Sequence, residues 1–423
     1  MSTHIEARRQ RAQRALHTNH IVLIGAGSHI PVPGGMDRIY PFKPHPDHYW
    51  LTGHRTPGAV LAFDPQDGWR DFTPDLTEDD HVWEGLTERE GEPISGLTPW
   101  LKEREGRPVA VLGVGGGPLD GIESDADASE SFTELLLDAR RAKDEAEVEL
   151  MKRACAATAA GFERARAFAA PGVTERAIQI ELEAECYHHG GQSMGYDAIV
   201  GTGTNAAVLH FAPGSREVKE GDFVLIDAGC EIDGYTADVT RTFVVGNPTQ
   251  QQTELHGIVR EALEYGNSQC KPGKEWRELH LECAAIMAKG LVSLGILRGD
   301  PQGLVEQDVH ALFFPHGLGH LVGLGVRDGS GYLPGRQRSD RFGLAFLRMD
   351  LPLRTGYITT VEPGLYFIEP LLNDPARRER FADSINWDEV DRWLHIGGVR
   401  LEDNLLVTED EPMNLTDQIS HAL

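Results

Sequence analysis

Apolar runs separated by polar and turn-forming residues mark the first third of the chain. Three such runs, within residues 20–28, 59–64 and 109–114, are short and rich in Val, Ile, Leu and Ala, and they predict buried β-strands. After residue 115 the apolar periodicity is lost in a stretch rich in Gly, Asp and Ser, which is typical of the end of a domain. The pattern therefore predicts a first, α/β domain over residues 1–130.

The pattern changes at Ser131, where apolar residues recur at helical spacing among Arg, Lys and Glu. Pro171 and Gly172 interrupt this long helix, and Thr174 opens another one. Strands are then predicted at 222–229, 234–245, 358–362 and 398–407, with a helix pair between about 253 and 294. Because helices precede strands twice, we expect an internally duplicated α+β domain over residues 131–423.

Length, charge and cysteine content narrow the class of protein. The 423 residues predict two or three domains, and the 66 acidic against 40 basic residues give a net charge of −26, which excludes a broad nucleic-acid interface. No run approaches the roughly 20 apolar residues of a membrane-spanning helix, and the charged N-terminus lacks the apolar core of a secretory signal. Five scattered cysteines without a CxxC pair predict reduced thiols. We expect a soluble cytoplasmic protein or a cation binder, with neither nucleic acid nor membrane as a partner.

Two aspartates stand in apolar strands. Asp227 lies within the predicted strand 222–229, and Asp238 lies in the strand that follows it. A carboxylate in such a strand is costly unless it is paired or bound to a cation. Taken singly, each is better explained as a helix cap, a turn residue or a partner of Arg241, but two on consecutive strands favour a site.

Two histidines and two glutamates extend this set. His316 and His320 lie in a glycine-rich segment whose backbone can approach a ligand closely. Glu362 and Glu402 each lie in or at the end of an apolar strand. One histidine or glutamate alone is a weak signal, whereas the combined set favours a metal site.

The combined donors are two Asp, one His and two Glu, namely Asp227, Asp238, His320, Glu362 and Glu402. Four carboxylates and one imidazole are more oxygen ligands than a structural zinc site uses. They suit a pair of Mn²⁺-like ions roughly 3.5–4 Å apart, although Co²⁺ or Zn²⁺ could also bind such ligands. Such a pair lowers the pKa of a shared water and polarises a carbonyl, so the predicted chemistry is hydrolysis.

The order and setting of these five residues resemble the proline-specific metallopeptidases that share the pita-bread fold. That family includes methionine aminopeptidase, aminopeptidase P, creatinase and prolidase, and the resemblance covers residues 132–416. It rests on the segments IDAGCEIDGYTAD, HGLGH, VEPGLYF and GGVRLEDN, at 226–238, 316–320, 361–367 and 397–404.

The first domain adds a second resemblance. Residues 42–53, followed by the strand at 59–64, are similar to the creatinase-like first domain of aminopeptidase P and prolidase, which methionine aminopeptidase lacks. The two resemblances together imply a creatinase-like α/β domain followed by a pita-bread catalytic domain.

The family pattern implies a role for each of the five ligands. Asp238 and Glu402 would bridge two metal ions. Asp227 would bind one of these ions, and His320 and Glu362 would bind the other. Glu362 would also be the general base that orients and deprotonates the bridging water.

The resemblance also implies residues that act on the substrate or orient the centre. His210 would contact the scissile bond, and the alternative is a histidine that simply ends a strand. Tyr196 matches a tyrosine of the prolidase site, and Arg400 an arginine that hydrogen-bonds around the metal centre. His316 would lie near the proline pocket.

Two arginines bear on the branch of the family. Arg348 precedes the VEPG segment at the prolidase spacing, where it would clamp the free carboxylate of a dipeptide, unless it is a surface arginine. Residues 369–393 also resemble a bacterial prolidase insertion. Arg327 stands where these peptidases usually carry a second histidine; it can donate hydrogen bonds but cannot exchange a proton near neutral pH. We expect Arg327 to keep an electrostatic role or to contact the substrate carboxylate.

Three functions stay open on the sequence. The leading prediction is a dinuclear-metal Xaa-Pro dipeptidase of the prolidase type. The second is an aminopeptidase P that releases the N-terminal residue from longer Xaa-Pro peptides. The third is a catalytically impaired pita-bread protein that serves as a binding module. The resemblance implies a small peptide substrate and a homodimer.

Overall fold

The computed structural model describes residues 3–423, and the chain divides into two compact units. The first ends at Arg141, and the second runs from Ala142 to Leu423. Within the described residues, no helix is both long and apolar enough to cross a membrane. All five cysteines are buried and free of disulfide bonds.

The division between the units differs from the boundary expected at residue 130, which falls inside the helix Ala126–Arg141. The long predicted helix instead breaks at 142–144. Asp144 caps the next helix, since its side chain accepts from the Glu147 N–H while the Glu147 carboxylate accepts from the Asp144 N–H. This capping box is the local reason for the later boundary.

The first unit is a five-stranded sheet with helices. Its helices are α1 (Thr3–Leu16), α2 (Pro46–Thr52), α3 (Glu78–Trp83), α4 (Leu97–Lys102) and α5 (Ala126–Arg141). Its strands are β1 (Ile21–Ala26), β2 (Val60–Asp64), β3 (Gly68–Thr73), β4 (Glu92–Pro93) and β5 (Val109–Val114). The strand order is β4–β3–β2–β1–β5, in which β1 pairs antiparallel with β2 and parallel with β5. The three strands predicted from apolar runs are therefore present as β1, β2 and β5.

The second unit carries most of the helices. They are α6 (Glu145–Phe168), α7 (Glu175–His188), α8 (Gln250–Ser268), α9 (Trp276–Ser293), α10 (Pro301–Glu306), α11 (Glu369–Leu372), α12 (Pro375–Arg380) and α13 (Trp387–Trp393). Its strands up to the midpoint are β6 (Ser193–Met194), β7 (Ile199–Thr202), β8 (Phe223–Ala228), β9 (Cys230–Ile232), β10 (Tyr235–Thr236) and β11 (Val239–Val244). The later strands are β12 (Ile358–Val361), β13 (Gly364–Tyr366), β14 (Gly398–Arg400), β15 (Asp403–Leu406) and β16 (Met413–Asn414).

The second unit repeats one arrangement. The helix pair α6 and α7 precedes the antiparallel sheet β11–β8–β7, and the pair α8 and α9 precedes the antiparallel sheet β12–β15–β16. Buried apolar residues of α8 and α9 form one core with β8 and β12, which fixes the strands that carry the predicted ligands. The duplicated α+β architecture expected from the sequence is confirmed.

Two predicted strands are each interrupted once. The strand predicted at 234–245 splits into β10 and β11, with Asp238 at the break, and the one at 398–407 splits into β14 and β15, with Glu402 at the break. The Asp238 N–H donates to Asn404 Oδ1 at 3.1 Å, and the Glu402 N–H donates to the Thr240 carbonyl at 3.0 Å. Each interruption thus places a carboxylate at a junction between strands.

Candidate metal centre

Three of the predicted ligands converge from the two sheets. Asp227 lies on β8 opposite Thr240 of β11, and Asp238 lies directly before β11. A bridge between Thr240 and Glu402 brings the start of β15 to the same place. One carboxylate oxygen from each of Asp227, Asp238 and Glu402 lies within 4.8 Å of the others.

The remaining two ligands come from the segment before β12 and from its end. The His320 N–H donates to Thr360 Oγ1 at 3.1 Å, and the Glu362 N–H donates to the Leu318 carbonyl at 2.7 Å. His320 Nε2 lies 3.4 Å from Asp238 Oδ2 and 3.9 Å from Glu362 Oε1. The structure thus brings all five predicted ligands together.

Two glycines of the ligand segments are required by close packing of the backbone. A Cβ on Gly229, in the IDAG segment, would overlap the Ala237 carbonyl. A Cβ on Gly319, in the HGLGH segment, would overlap the Thr360 carbonyl. Glycine is therefore the residue that lets each ligand-bearing segment approach its neighbouring strand.

The cluster is rich in negative charge. Burial, followed by the charges of Asp238 and Glu362, raises the pKa of Glu402 well above its usual value. Burial raises the pKa of Glu362 to about 7, against the opposing charges of His320 and Arg400. Four carboxylates thus share one imidazole and one guanidinium, and this unbalanced oxygen-rich donor set fits divalent cations.

Tyr196 lies against two of the carboxylates. Its hydroxyl oxygen is 2.6 Å from Asp227 Oδ1 and 2.6 Å from Asp238 Oδ1. Since the hydroxyl carries one hydrogen, it donates to one of these oxygens at a time. Burial, together with the two carboxylate charges, raises the pKa of Tyr196, so the phenol stays protonated as a donor.

Arg400 orients one side of the cluster. Its guanidinium donates to Asp227 Oδ2 at 2.5 Å, to Thr240 Oγ1 at 3.0 Å and to the hydroxyl of Tyr366 at 2.9 Å. The Thr240 hydroxyl in turn donates to Glu402 Oε2 at 2.7 Å. Sequence reasoning missed Thr240 and Tyr366, although Tyr366 belongs to the recognised VEPGLYF segment.

His316 joins this network through Tyr366. Its Nε2 lies 2.8 Å from the Tyr366 hydroxyl, and its Nδ1 lies 3.7 Å from Glu362 Oε2. Burial, followed by the positive charge of Arg400, lowers the pKa of His316 to about 3. His316 is therefore neutral at physiological pH and can accept as well as donate a hydrogen bond.

The three remaining predicted residues lie at the surface. His210 is exposed in the turn after β7, and among residues 3–423 no hydrogen bond joins it to the cluster. Arg327 and Arg348 are also exposed. Partial burial and then the charge of Arg327 lower the pKa of Arg348, while Glu362 opposes this shift. The Arg348 backbone lies beside the HGLGH segment, since a Cβ on Gly317 would be 3.4 Å from the Arg348 nitrogen.

Comparison with known proteins places this centre in a family. Residues 149–409 match metallopeptidase family M24, and residues 5–92 match the aminopeptidase P N-terminal domain. The chain belongs to metallopeptidase family M24. It is therefore a metallopeptidase whose family implies divalent metal ions, and the alternative of a binding module without catalysis loses its support.

Individual relatives support this assignment. A "Probable Xaa-Pro aminopeptidase pepP" of Botryotinia fuckeliana is 32% identical, with 90% of this chain and 86% of the relative covered. The "Xaa-Pro aminopeptidase" of Escherichia coli K12 is 37% identical over 66% of this chain and 56% of the relative.

Solved structures agree with the predicted fold. The aminopeptidase PepP of Pseudomonas aeruginosa has a TM-score of 0.80 at 27% identity, with 98% of this chain and 95% of that chain covered. Zn-substituted E. coli aminopeptidase P in complex with product has a TM-score of 0.78 at 28% identity, with 99% and 96% covered. The predicted creatinase-like first domain and pita-bread second domain are confirmed.

Proposed function

We propose that the protein is a two-metal Xaa-Pro aminopeptidase that removes the N-terminal residue from peptides with proline in second position. The observation that carries this proposal is the convergence of the five ligands in a chain whose relatives are named Xaa-Pro aminopeptidases. Those names favour the aminopeptidase over the dipeptidase that the sequence placed first.

The five converging side chains would hold two divalent cations, with Mn²⁺ preferred because four of the donors are carboxylates. When bound, these ions would lower the pKa of a water molecule and polarise the scissile carbonyl. Their ligands would be Asp227, Asp238, His320, Glu362 and Glu402.

Glu362 is the residue proposed to move the proton. Its carboxylate lies between His320 and His316, with Oε1 3.9 Å from His320 Nε2 and Oε2 3.7 Å from His316 Nδ1. From this position it would accept a proton from the attacking water at a carboxylate oxygen and return it to the departing proline nitrogen. Such a residue serves as base in the first step and as acid in the second.

Three further groups would hold the geometry and the substrate. Arg400 fixes Asp227 and the Tyr366 hydroxyl through donated hydrogen bonds. Tyr366 in turn fixes the neutral ring of His316, which we place beside the proline of the substrate. Tyr196 would donate a hydrogen bond at the centre, and His210 would reach the scissile bond from its exposed turn.

A peptide assay with a chelator control tests the proposal. Tetrapeptides Xaa-Pro-Yaa-Zaa should be cleaved in Mn²⁺, and EDTA should abolish cleavage. Glu362→Gln should lower kcat by about 10²–10⁴-fold, the usual range for loss of a general acid–base group, whereas Glu369→Gln, at an exposed position of α11, should have no effect. Cleavage that persists in EDTA, or equal kcat values for the two variants, would refute the proposal.

One observation favours the Xaa-Pro dipeptidase as a second candidate. Arg348 lies beside the HGLGH segment, since a Cβ on Gly317 would be 3.4 Å from the Arg348 nitrogen, and the charges of Arg327 and Glu362 both act on the pKa of its guanidinium. Two guanidinium groups on that side would suit the free C-terminal carboxylate of a dipeptide, which lies close to the scissile bond. A longer peptide has no such carboxylate there.

Comparing free with amidated dipeptides separates the two candidates. For a dipeptidase, Arg348→Met should raise KM for Xaa-Pro by about 10–100-fold, the value of a charge-assisted hydrogen bond, and leave Xaa-Pro-NH₂ unchanged. Arg260→Met, at an exposed arginine of α8, is the matched control. If tetrapeptides are cleaved faster than dipeptides and Arg348→Met affects both equally, the dipeptidase is excluded.

We also retain the homodimer and the cytoplasmic location as proposals, the first testable by analytical ultracentrifugation.

A further inference from the structure

Two histidines and an aspartate of the first unit form a second cluster of metal-ligating groups. His48 lies in α2, His54 follows the end of that helix, and Asp71 lies in β3. Gly53 has a φ of 78°, a left-handed conformation that ends α2 and turns the chain so that His54 lies beside His48. The two ring centroids are 5.2 Å apart at an interplanar angle of 79°.

The donor atoms of this cluster already lie close together. One ligand atom from each of His48, His54 and Asp71 lies within 4.8 Å of the other two, and His54 Nε2 is 2.7 Å from Asp71 Oδ2. Ligands of one tetrahedral ion with bonds of about 2.0–2.2 Å are roughly 3.4 Å apart. For His54 Nε2 to bind an ion, the proton that it shares with Asp71 Oδ2 would have to leave, and the pair would open from 2.7 Å towards that spacing.

Each of the three side chains also has a buried polar atom without a protein partner. These atoms are His48 Nε2, His54 Nδ1 and Asp71 Oδ1, and none has a hydrogen bond to any residue within 3–423. A buried polar atom left in this way costs about 1–3 kcal/mol. His48 Nε2 and Asp71 Oδ1 could each bind a cation without losing a protein partner, and His54 would add its Nε2, the nitrogen that now faces Asp71.

The charges around the cluster are compatible with a cation. Arg9 is the nearby positive charge: its Nη2 lies 3.9 Å from Asp71 Oδ2, and its Nε donates to the Leu51 carbonyl at 2.8 Å. Arg9 thus faces the same Asp71 oxygen as His54, and Oδ1 remains for a ligand.

We propose that His48, His54 and Asp71 bind one transition-metal cation of the Zn²⁺ class in the first unit. Two imidazoles and one carboxylate form a three-ligand set that Zn²⁺ binds tetrahedrally with one further ligand, whereas Mn²⁺ favours more oxygen donors. The ion would tie α2 to β3, and Arg9 would orient Asp71 from outside the ligand set.

Zinc content of the full chain tests the site. Protein stripped with EDTA, equilibrated with Zn²⁺ and freed of loosely bound metal should contain one zinc ion per chain more than Asp71→Asn treated identically. Asp75→Asn, at an exposed position shortly after β3, is the matched control and should hold as much zinc as the unchanged protein. Equal zinc in Asp71→Asn and the unchanged protein would overturn the proposal.

A second variant tests whether zinc binds to the first unit while leaving that unit unchanged. Asp238→Asn/Glu402→Gln, which removes two ligands of the peptidase centre, should still retain one zinc ion, and Co²⁺ bound in its place should show the intense visible absorption of tetrahedral coordination. Adding Asp71→Asn should abolish both signals. If folded Asp238→Asn/Glu402→Gln retains no zinc, the site does not exist.

Discussion

Glu402 and Asp403 are neighbours in the chain and both are buried, yet their surroundings shift their pKa values in opposite directions. Burial and then the charge of Asp238 raise the pKa of Glu402 well above its usual value. Burial also works against ionisation of Asp403, but the charge of Arg241, followed by the hydrogen bond of His421, outweighs it and holds that pKa well below its usual range. Adjacent carboxylates therefore belong to two different clusters.

The difference lies in what the protein supplies as countercharge. Asp403 Oδ1 accepts a hydrogen bond from Arg241 Nη2 at 2.7 Å. The two Asp403 oxygens accept further hydrogen bonds from Asn267, Asn414 and Thr416. Glu402 accepts a hydrogen bond from the Thr240 hydroxyl but lies among other carboxylates. The Asp403 cluster is neutralised within the chain, whereas the Glu402 cluster has more carboxylates than positive groups, which fits the cation binding that we propose.

The largest expected effect separates activity from stability at the metal centre. Asp238→Asn keeps the shape of the side chain but removes a proposed bridging ligand, so kcat/KM on Xaa-Pro peptides should fall by at least about 10³-fold, because the metal ions supply several kcal/mol of transition-state stabilisation. In EDTA the same variant should unfold at the same or a higher urea concentration than the unchanged protein, since one of several mutually repelling charges is gone.

The stability half of this prediction has its own control. Asp233→Asn changes an aspartate in the turn between β9 and β10, outside the cluster, and should leave both the activity and the unfolding midpoint close to those of the unchanged protein. If Asp238→Asn destabilises the chelated protein by several kcal/mol, the centre does not lack countercharge and the comparison with Asp403 fails.

The second prediction breaks the complete cluster. Arg241→Met removes the guanidinium that pairs with Asp403 and leaves the buried carboxylate uncompensated, which should cost about 3–5 kcal/mol of unfolding free energy. Urea unfolding in EDTA measures this loss. Adding Asp403→Asn to Arg241→Met should restore part of it, and a single variant that loses less than about 1 kcal/mol would contradict the interpretation.

The third prediction concerns His280, a buried histidine whose protonated form would be repelled by the nearby positive charge of Arg341. Burial lowers the pKa of His280, on α9, to about 4, and the charge of Arg341 acts in the same direction. Well above pH 6.5 the His280 ring is neutral in both the folded and the unfolded chain. Below that value the unfolded chain takes up a proton while the folded chain does not, so stability should fall by up to about 3 kcal/mol as the pH drops from 6.5 towards 4.

Unfolding midpoints in EDTA between pH 7 and pH 5 measure the slope. His280→Gln keeps a side chain that can donate to the Gly343 carbonyl, 2.9 Å from His280 Nε2, but no longer titrates, so its stability should depend less on pH. His188→Gln, at an exposed position of α7, should retain the full slope. Identical slopes in all three proteins would show that His280 is not held neutral.

The elements that the sequence predicted well share one physical property. The strands β1, β2 and β8 are buried at almost every position, so each appears as an uninterrupted apolar run that needs no distant contact to be recognised. The predicted ligands stand out for the same reason: a carboxylate in apolar surroundings conflicts with its local setting, as Asp227 does on β8.

What the sequence did not predict depends on contacts between distant residues. At the breaks, the Asp238 N–H donates to Asn404 Oδ1 and the Glu402 N–H donates to the Thr240 carbonyl, and no local pattern shows these contacts. Lys143 and Asp328 form a fully buried ion pair at 2.8 Å that joins the start of the second unit to the segment carrying Arg327. The capping box at 144–147, in contrast, was a local signal and would have moved the domain boundary to its observed place.

The smallest expected effect is the loss of an exposed ion pair, and it tests whether distance or burial sets the contribution of an ion pair to the unfolding free energy. Lys271 Nζ lies 2.8 Å from Glu411 Oε1, nearly the separation of Arg241 and Asp403, but the side chains are 44% and 79% exposed rather than 3% and 0%. Water screens the exposed pair and solvates either partner when the other is removed, so Lys271→Met should change the unfolding free energy by less than about 1 kcal/mol, and less still in high salt. Since the two methionine variants differ mainly in burial, equal losses in Lys271→Met and Arg241→Met would mean that distance sets their value. A loss confined to Arg241→Met would show that burial, and not distance, sets the value of these two ion pairs.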